Sequence, residues 1–450
     1  MKNWHKLAAS AAIVAAFSIN AQNVDQRKSI RQTLEAAELG TLAEKYQRQF
    51  EADEAKVREY LLANPTVQRD EVKHGKVHHI VPIDADGNPV FRVARDIADP
   101  SGSQKNRASG QLIKVDSLYP GGSIGVNITG TGMLAGVWEL SAVPADGSSN
   151  ATRELLLGEL TNQAGQVVST VAGNANHAVH VTGTMVGKDV ASHPSARGIA
   201  FGGKSQNFGA ANDLTEMTTF AANGFLVSNH SYGDPNTQTA NVWKYGVYDA
   251  EARDWDAMLK AAPNYLPFVA AGNEQTSSGN NAAKSGYDIM TGPANSKNAM
   301  AVGAVNADKN MSSYSNWGPT DGGRVKPDIV AKGTAIDSAQ AYDKSTPPVA
   351  CNDCNNCYSG NGDDSSGTSY VSPAAAASGL LLQQYYNSLH SVYIRSSTLK
   401  ALMLGTAEDL GRPGPDHQFG WGLLNIEKVA LKIKTFAAER DARHEQRLRH

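Results

Sequence analysis

The chain has 450 residues, of which 41% are hydrophobic and 19% are charged, and its formal net charge is -3. These values are typical of a soluble globular protein of two or three domains. Because no long basic run interrupts the body of the chain, the sequence gives no sign of a nucleic-acid or anionic-membrane partner.

The first residues predict a secretory signal peptide. Lys2 and Lys6 precede an apolar run from Leu7 to Ile19, and the small residue Ala21 follows. This order is typical of an export signal, which we place at residues 1–21. The run is shorter than the roughly 20 apolar residues that span a bilayer, and a short buried helix is the alternative interpretation. We therefore expect a secreted or periplasmic protein with no membrane-spanning segment.

Residues 22–110 are predicted to form a pro-region and linker that the mature protein lacks. Residues 24–72 are rich in Glu, Lys, Arg, Gln and Ala, a composition that favours exposed helices. Apolar and polar residues alternate from Val77 to Val93 around a turn at Asp84–Asn88, which predicts a hairpin. The polar stretch Asp99–Gly110 is interpreted as a flexible linker and as the region of precursor processing.

Residues 111–434 carry the pattern of a larger α/β domain, and residues 435–450 form a charged tail. Short apolar runs alternate with segments that favour helices, such as Thr215–Ala222 and Ala250–Ala261. The runs are Met133–Val137, Phe225–Ser228, Phe268–Ala271 and Met300–Val305. This alternation predicts a mostly parallel sheet covered on both faces. Functional side chains are then expected just after the runs, at the carboxyl ends of the strands.

Three cysteines, Cys351, Cys354 and Cys357, lie in one polar segment. In an oxidising compartment two of them can pair, and we favour a Cys351–Cys357 disulfide over a metal site, since the sequence has no fourth cysteine. Neighbouring Asn and Asp oxygens leave structural calcium as an open alternative, with a solvated loop as the favoured interpretation. No cofactor is predicted to be required, and we assign no metal ligands.

The segment Ser366–Pro373 indicates a nucleophile at the start of a helix. Gly367 allows a tight turn before Ser369, and Pro373 falls in the first helical turn, where a missing N–H costs little. A helix N-terminus offers free backbone N–H groups and a partial positive charge to an oxyanion beside the serine. Taken alone, the segment is equally consistent with a serine that caps an Ala-rich helix.

A second segment, Asn176–Thr184, supplies the base that a serine nucleophile needs. A serine hydroxyl reacts when a neighbouring base takes its proton, and the pKa of histidine suits this task near neutrality. We assign His177 to that role at the start of a helix, with His180 packed elsewhere. A zinc site on His177 and His180 is the alternative, but the sequence offers no clear third and fourth ligands.

Several motifs in one order resemble those of the subtilisin-like serine peptidases, the subtilase family, and in part an exported bacterial branch of it. His177–Gly183 resembles the family's histidine motif, Gly367–Pro373 its serine motif, and Ala270–Asn273 the segment with its oxyanion-hole asparagine. Further similarities lie in Ser315–Thr320, Lys326–Val330 and Gly414–Leu424. The resemblance covers about residues 120–430.

The resemblance implies a three-layer α/β fold with a mostly parallel central sheet, preceded by a small α+β pro-region. It also implies a secreted serine endopeptidase that forms an acyl-enzyme on Ser369, with His177 as general base and Asn273 in the oxyanion hole. Two segments resemble walls that bind an extended peptide by strand addition, and their residues are Ser231, Tyr232, Gly233, Ala271 and Gly272. Protein or peptide substrates and a monomeric enzyme are expected.

The third member of the catalytic triad departs from the family pattern. Residues 132–142 align with the family's aspartate motif, but the matching position is Glu139, and Ser141 stands where glycine is usual. This carboxylate orients the histidine and stabilises the imidazolium, and glutamate adds one C–C bond of about 1.5 Å. Asp146 and Asp189 are alternatives, although neither closes an apolar strand as Glu139 does.

Glu139 therefore predicts either a backbone that accommodates the longer side chain or a slow enzyme. The alternative function is a catalytically impaired member of the family that binds peptides or proteins without cutting them. An esterase is the third hypothesis. It predicts a Gly-x-Ser-x-Gly turn, whereas the serine here lies in Gly-Thr-Ser-Tyr-Val at Gly367–Val371.

Overall fold

The computed structural model describes residues 24–73, 76–94, 97–99, 106–143, 155–156, 158–167, 169, 172–191, 194–234, 239–276, 281–339 and 364–448. The predicted signal peptide at residues 1–21 and the three cysteines, Cys351, Cys354 and Cys357, lie outside these ranges. Among the described helices, none combines the length and the apolar character needed to cross a membrane.

Seven parallel strands form the central sheet, in the order β12-β11-β10-β8-β5-β7-β6. Strands such as β10 and β11 are buried along their whole length, which is why they read as continuous apolar runs in the sequence. The sheet strands are β5 Leu134–Glu139, β6 Leu160–Asn162, β7 Lys204–Gly209, β8 Val227–His230, β10 Leu266–Ala270, β11 Met300–Val305 and β12 Ile329–Lys332.

Helices cover both faces of this sheet, which confirms the predicted α/β architecture. One core cluster joins the sheet to α4, α7 and α9, and a second joins it to α2, α5 and α6. The helices are α1 Val24–Arg31, α2 Ala36–Ala63, α3 Asn106–Leu112, α4 Ala172–Val186, α5 Asp213–Ala222, α6 Ala250–Ala261, α7 Thr368–His390, α8 Ser396–Gly405 and α9 Ile426–Leu448.

The predicted pro-region forms helices α1 and α2 and three strands of a small antiparallel sheet, whose fourth strand, β9, comes from the larger body. This sheet is ordered β1-β2-β3-β9, and its hairpin pairs His78 with Val93, as the alternating sequence predicted. The remaining strands are β1 Asp70–Lys73, β2 Lys76–Ile83, β3 Pro89–Ala94, β4 Ile97–Asp99, β9 Tyr232–Gly233 and β13 Asp364–Ser366.

Helix α2 docks this segment on the larger body. Leu39 and Tyr46 are 1% and 2% exposed and belong to the core cluster that includes α5 and α6. The Tyr46 hydroxyl donates a hydrogen bond of 2.9 Å to the backbone carbonyl of Asp254 in α6. Apolar burial of this extent favours stable docking of this segment on the body.

Two ends of the larger body differ from the sequence-based expectation. The stretch interpreted as a linker becomes helical at Asn106, whose Nδ2 donates to the carbonyls of Thr184 at 3.2 Å and Arg197 at 2.9 Å. The polar character that suggested a loop thus satisfies buried backbone carbonyls. Residues 435–448 of the predicted charged tail continue helix α9.

Candidate active site

A buried carboxylate and a buried histidine meet at the carboxyl end of strand β5. Glu139 is the last residue of β5, and His177 lies in the second turn of α4 rather than at its start. The distance from Glu139 Oε2 to His177 Nδ1 is 2.7 Å, and the residues are 1% and 3% exposed. A carboxylate on Nδ1 fixes the imidazole tautomer and leaves Nε2 as the basic nitrogen.

Ser369 occupies the second position of helix α7 and is completely buried. Its hydroxyl donates to the carbonyl of Ser231 at 3.1 Å, and the Ser231 hydroxyl donates to the carbonyl of Ser369 at 2.9 Å. The ring of the next residue, Tyr370, lies 5.6 Å from the His177 ring, measured between centroids. These contacts bring the predicted nucleophile and the predicted base to the same corner of the sheet.

Asn273 places an amide beside the nucleophile. Its Oδ1 accepts hydrogen bonds of 2.9 Å from both the backbone N–H and the hydroxyl of Thr368, the residue before Ser369. Its Nδ2 is buried and has no hydrogen-bond partner among the described residues. A buried donor held next to a nucleophile is the arrangement that stabilises an oxyanion during acyl transfer.

A clamp that sequence reasoning missed holds the Asn273 segment in place. Asn316 Nδ2 donates to Glu274 Oε2 at 2.8 Å, and Asn316 Oδ1 accepts from the Glu274 N–H at 2.8 Å. The same Glu274 oxygen accepts from the backbone N–H of Asn273 at 2.8 Å. Gly272 has φ +114°, and a Cβ there would lie 2.1 Å from Asn316 Nδ2, so the clamp requires glycine. The sequence feature that could have indicated this clamp is the Ser315–Thr320 motif, which contains Asn316.

The five residues predicted to bind substrate fall into two groups. Tyr232 and Gly233 form the short strand β9, directly after Ser231. Ala271 and Gly272 follow β10, and their backbone N–H groups donate within the body, to Val302 O and Thr368 Oγ1, each at 3.0 Å. The first group therefore lies on a strand whose edge pairs with β3, whereas the N–H groups of the second group bond within the body.

The side chains behind β9 form a buried hydrogen-bonded chain. The Tyr232 hydroxyl donates to Asp213 Oδ2 at 2.7 Å, so it accepts from His230 Nδ1 at 2.9 Å. His230 Nε2 then accepts from the Ser228 hydroxyl at 2.8 Å. Burial lowers the pKa of His230 well below its usual range, so the ring is neutral at physiological pH. This chain fixes the position of Tyr232.

Two of the alternative residues considered for the site make contacts of their own outside the Glu139–His177 pair. Asp189 pairs with Arg197 at 2.8 Å, and Asp146 lies outside the described residues. His180 Nε2 is 3.0 Å from the carbonyl of Ile336, and its ring lies against Tyr370. Within the described parts of the chain, no group of three or more His, Cys, Asp or Glu side chains is arranged to hold a metal ion.

Replacing Asn273 with alanine is expected to lower kcat by about 10²–10³, with a much smaller change in KM, because the lost amide acts on the transition state. Steady-state kinetics on a peptide substrate would measure both constants. An equal thermal unfolding midpoint for the two proteins would show that the loss is not a folding defect. A kcat that stays within about twofold of wild type would remove Asn273 from the oxyanion hole.

Comparison with known proteins identifies the family of the α/β body. A family model described as Subtilase family matches residues 159–422, a range that starts after Glu139. Subtilisin DY from Bacillus licheniformis is 27% identical over 330 residues, which cover 71% of this chain and 96% of that protein. Bacillopeptidase F from Bacillus subtilis is 28% identical over 279 residues, which cover 57% of this chain but only 17% of that protein.

A solved structure shares the fold. Fervidolysin from Fervidobacterium pennivorans, described as a keratinolytic enzyme related to subtilisin, superposes with a TM-score of 0.53 at 16% identity. The superposition covers 76% of this chain and 52% of fervidolysin. At this level of identity the similarity supports the arrangement of strands and helices alone.

Proposed function

Because the chain belongs to the subtilase family of serine-type endopeptidases, we propose that it is an exported enzyme that cuts peptide bonds through an acyl-enzyme on Ser369. The observation that carries this proposal is the 2.7 Å contact between Glu139 Oε2 and His177 Nδ1. It provides an oriented base at the corner where Ser369 begins a helix. The charged and then apolar N-terminus of the sequence supports export.

Each side chain then has one task. Ser369 attacks the scissile carbonyl, and His177 takes the hydroxyl proton and later donates it to the leaving amine. Glu139 stabilises the imidazolium that forms between these two steps. Asn273 Nδ2 and the Ser369 backbone N–H stabilise the oxyanion. Since a hydroxyl carries a single proton, attack requires that proton to turn from the Ser231 carbonyl towards the imidazole.

The pairing of the predicted pro-region with strands of the body supports a mechanism of precursor processing. Strand β3 pairs with β9, with Ala94 opposite Tyr232, and β4 pairs with β13, with Ile97 opposite Ser366. Both partners are close to the nucleophile, since Ser231, the neighbour of Tyr232, contacts Ser369, and Ser366 precedes Ser369 by three residues. Strands β3 and β4 of the pro-region therefore pair with the body close to the nucleophile, as an extended substrate would.

We place the processing cut between Ala94 and Ile97. This position lies just before residues 99–110, the stretch in which the sequence composition predicted processing. In the uncut chain this strand occupies the edge of β9, so the precursor is expected to be inactive towards other peptides. N-terminal sequencing of the processed protein would locate the cut. A mature N-terminus outside residues 95–97 would contradict this placement, and one beyond residue 106 would also remove part of α3.

A fluorophosphonate probe tests the proposed activity directly. The probe reacts covalently with a serine only when a base activates it, so the processed protein is expected to be labelled at Ser369. Peptide mapping by mass spectrometry would identify the labelled residue. A processed, folded protein that takes up no label would favour the alternative function, a family member that binds peptides without cutting them.

A further inference from the structure

The side chain of Arg92, two residues before Ala94 in strand β3, is held in a pocket made by the catalytic body. Arg92 Nη1 lies 2.9 Å from Asp213 Oδ2, and Nη2 lies 2.6 Å from Glu251 Oε1. Nη1 also donates to the carbonyl of Ala210, and the guanidinium carbon lies 5.0 Å from the centroid of the Tyr232 ring. The side chain of Arg92 is only 12% exposed.

The pocket is a property of the body and not of the pro-region. Asp213 begins helix α5, and Glu251 lies in the first turn of α6, where helix dipoles favour negative charge. The hydroxyl of Tyr232 holds Asp213 from a third direction, and the side chain of Asp213 is 6% exposed. Removing the pro-region would take the guanidinium away from Asp213 and Glu251 and would open the pocket to another cationic side chain.

The shape of the pocket suits arginine better than lysine. Two carboxylates and a carbonyl oxygen receive different N–H groups of one planar guanidinium, and an aromatic ring faces the plane. An ammonium ion is a compact point charge that can satisfy fewer of these acceptors at once. The strand register also determines which residue enters the pocket. Ala94 pairs with Tyr232, and Arg92 lies two residues before Ala94 on the same strand.

We infer that this pocket, made by Asp213, Glu251, Tyr232 and the carbonyl of Ala210, selects substrates that carry arginine two residues before the residue opposite Tyr232. The inference rests on the proposed peptidase function and extends it to a substrate class. After processing, a substrate strand takes the place of β3 on β9, and its arginine takes the place of Arg92. The alternative is that the pocket only holds the pro-region.

Two peptides that copy residues 89–99 test the inference, one with arginine at position 92 and one with citrulline, a neutral analogue of nearly the same shape. The full-length chain is expressed, left to process itself and assayed with both. We expect kcat/KM to be about 10–100-fold higher for the arginine peptide, the range expected for charge-assisted hydrogen bonds. Asp213→Asn and Glu251→Gln should each reduce this ratio towards 1.

A carboxylate of the same helix provides the matched control. Asp254 in α6 also binds the pro-region, through Lys45 at 2.9 Å, but it makes no ion pair with Arg92. Asp254→Asn is therefore expected to keep the full preference for the arginine peptide. Both Asp213→Asn and Glu251→Gln are made because, if one of them fails to fold, the other still tests whether the pocket selects arginine.

Fluorophosphonate labelling of Ser369 in the same samples separates two kinds of failure. Absence of label from the processed wild type would overturn the proposed function itself. A labelled enzyme that cuts the two peptides equally, or that cuts neither, would overturn the arginine pocket and leave the peptidase activity standing. An arginine-to-citrulline ratio of kcat/KM that stays unchanged in both Asp213→Asn and Glu251→Gln would also overturn the arginine pocket.

Discussion

Replacing Ser369 with alanine is expected to leave the precursor uncut and to lower peptide turnover by about 10⁶. Alanine removes the only atom that can form the acyl-enzyme, while the Ala-rich start of α7 should accept the smaller side chain. Gel mobility and intact mass of the exported chain would measure processing, and peptide hydrolysis would measure turnover. The processed wild type should differ from the variant by the loss of the pro-region.

Ser372 supplies a matched control for this variant. It lies one turn further along the same helix and is equally buried, and its hydroxyl has no hydrogen-bond partner among the described residues. Ser372→Ala should therefore process at the wild-type rate. Normal processing of Ser369→Ala would show that another protease cuts the precursor. Normal turnover of that variant would exclude Ser369 as the nucleophile.

The sequence predicted those parts of the molecule whose residues form local patterns. The β2–β3 hairpin follows from alternation around a glycine turn, and the buried strands follow from continuous apolar runs. The placement of His177 against Tyr370, the residue after Ser369, could not be predicted from periodicity, because nearly two hundred residues separate the two segments. Only the order of several motifs along the chain indicated that they share a site.

Other features depend on contacts that no local pattern carries. Asn106 looked like a loop residue because its burial depends on carbonyls far along the chain. The Arg92 pocket combines side chains of Asp213, Glu251 and Tyr232 from three separate segments, and each of the two carboxylates alone reads as an ordinary charged surface residue. Glu274 and Asn316 lie within or beside recognised motifs, but their mutual hydrogen bonds become visible only when the two loops meet.

Replacing Glu139 with glutamine is expected to lower kcat by about 10⁴, the size of the loss in the chymotrypsin-type example where an amide replaces the triad carboxylate. The amide can donate to Nδ1 and so favours the wrong tautomer of His177. It also carries no charge to stabilise the imidazolium. Steady-state kinetics would show a fall in kcat with little change in KM, and the thermal unfolding midpoint would report any folding defect.

Glu139→Asp is the informative companion, because it restores the residue usual in the family. The carboxylate of Glu139 already reaches His177 Nδ1 at 2.7 Å, so the end of β5 accommodates the longer side chain. Aspartate is shorter by one C–C bond of about 1.5 Å, and a misplacement of about 1 Å can cost roughly 10²-fold. The variant should therefore be slower than wild type. A faster variant would show that glutamate slows this member of the family. A variant that takes up a fluorophosphonate label that the wild type refuses would show that glutamate disables it and would favour peptide binding as its function.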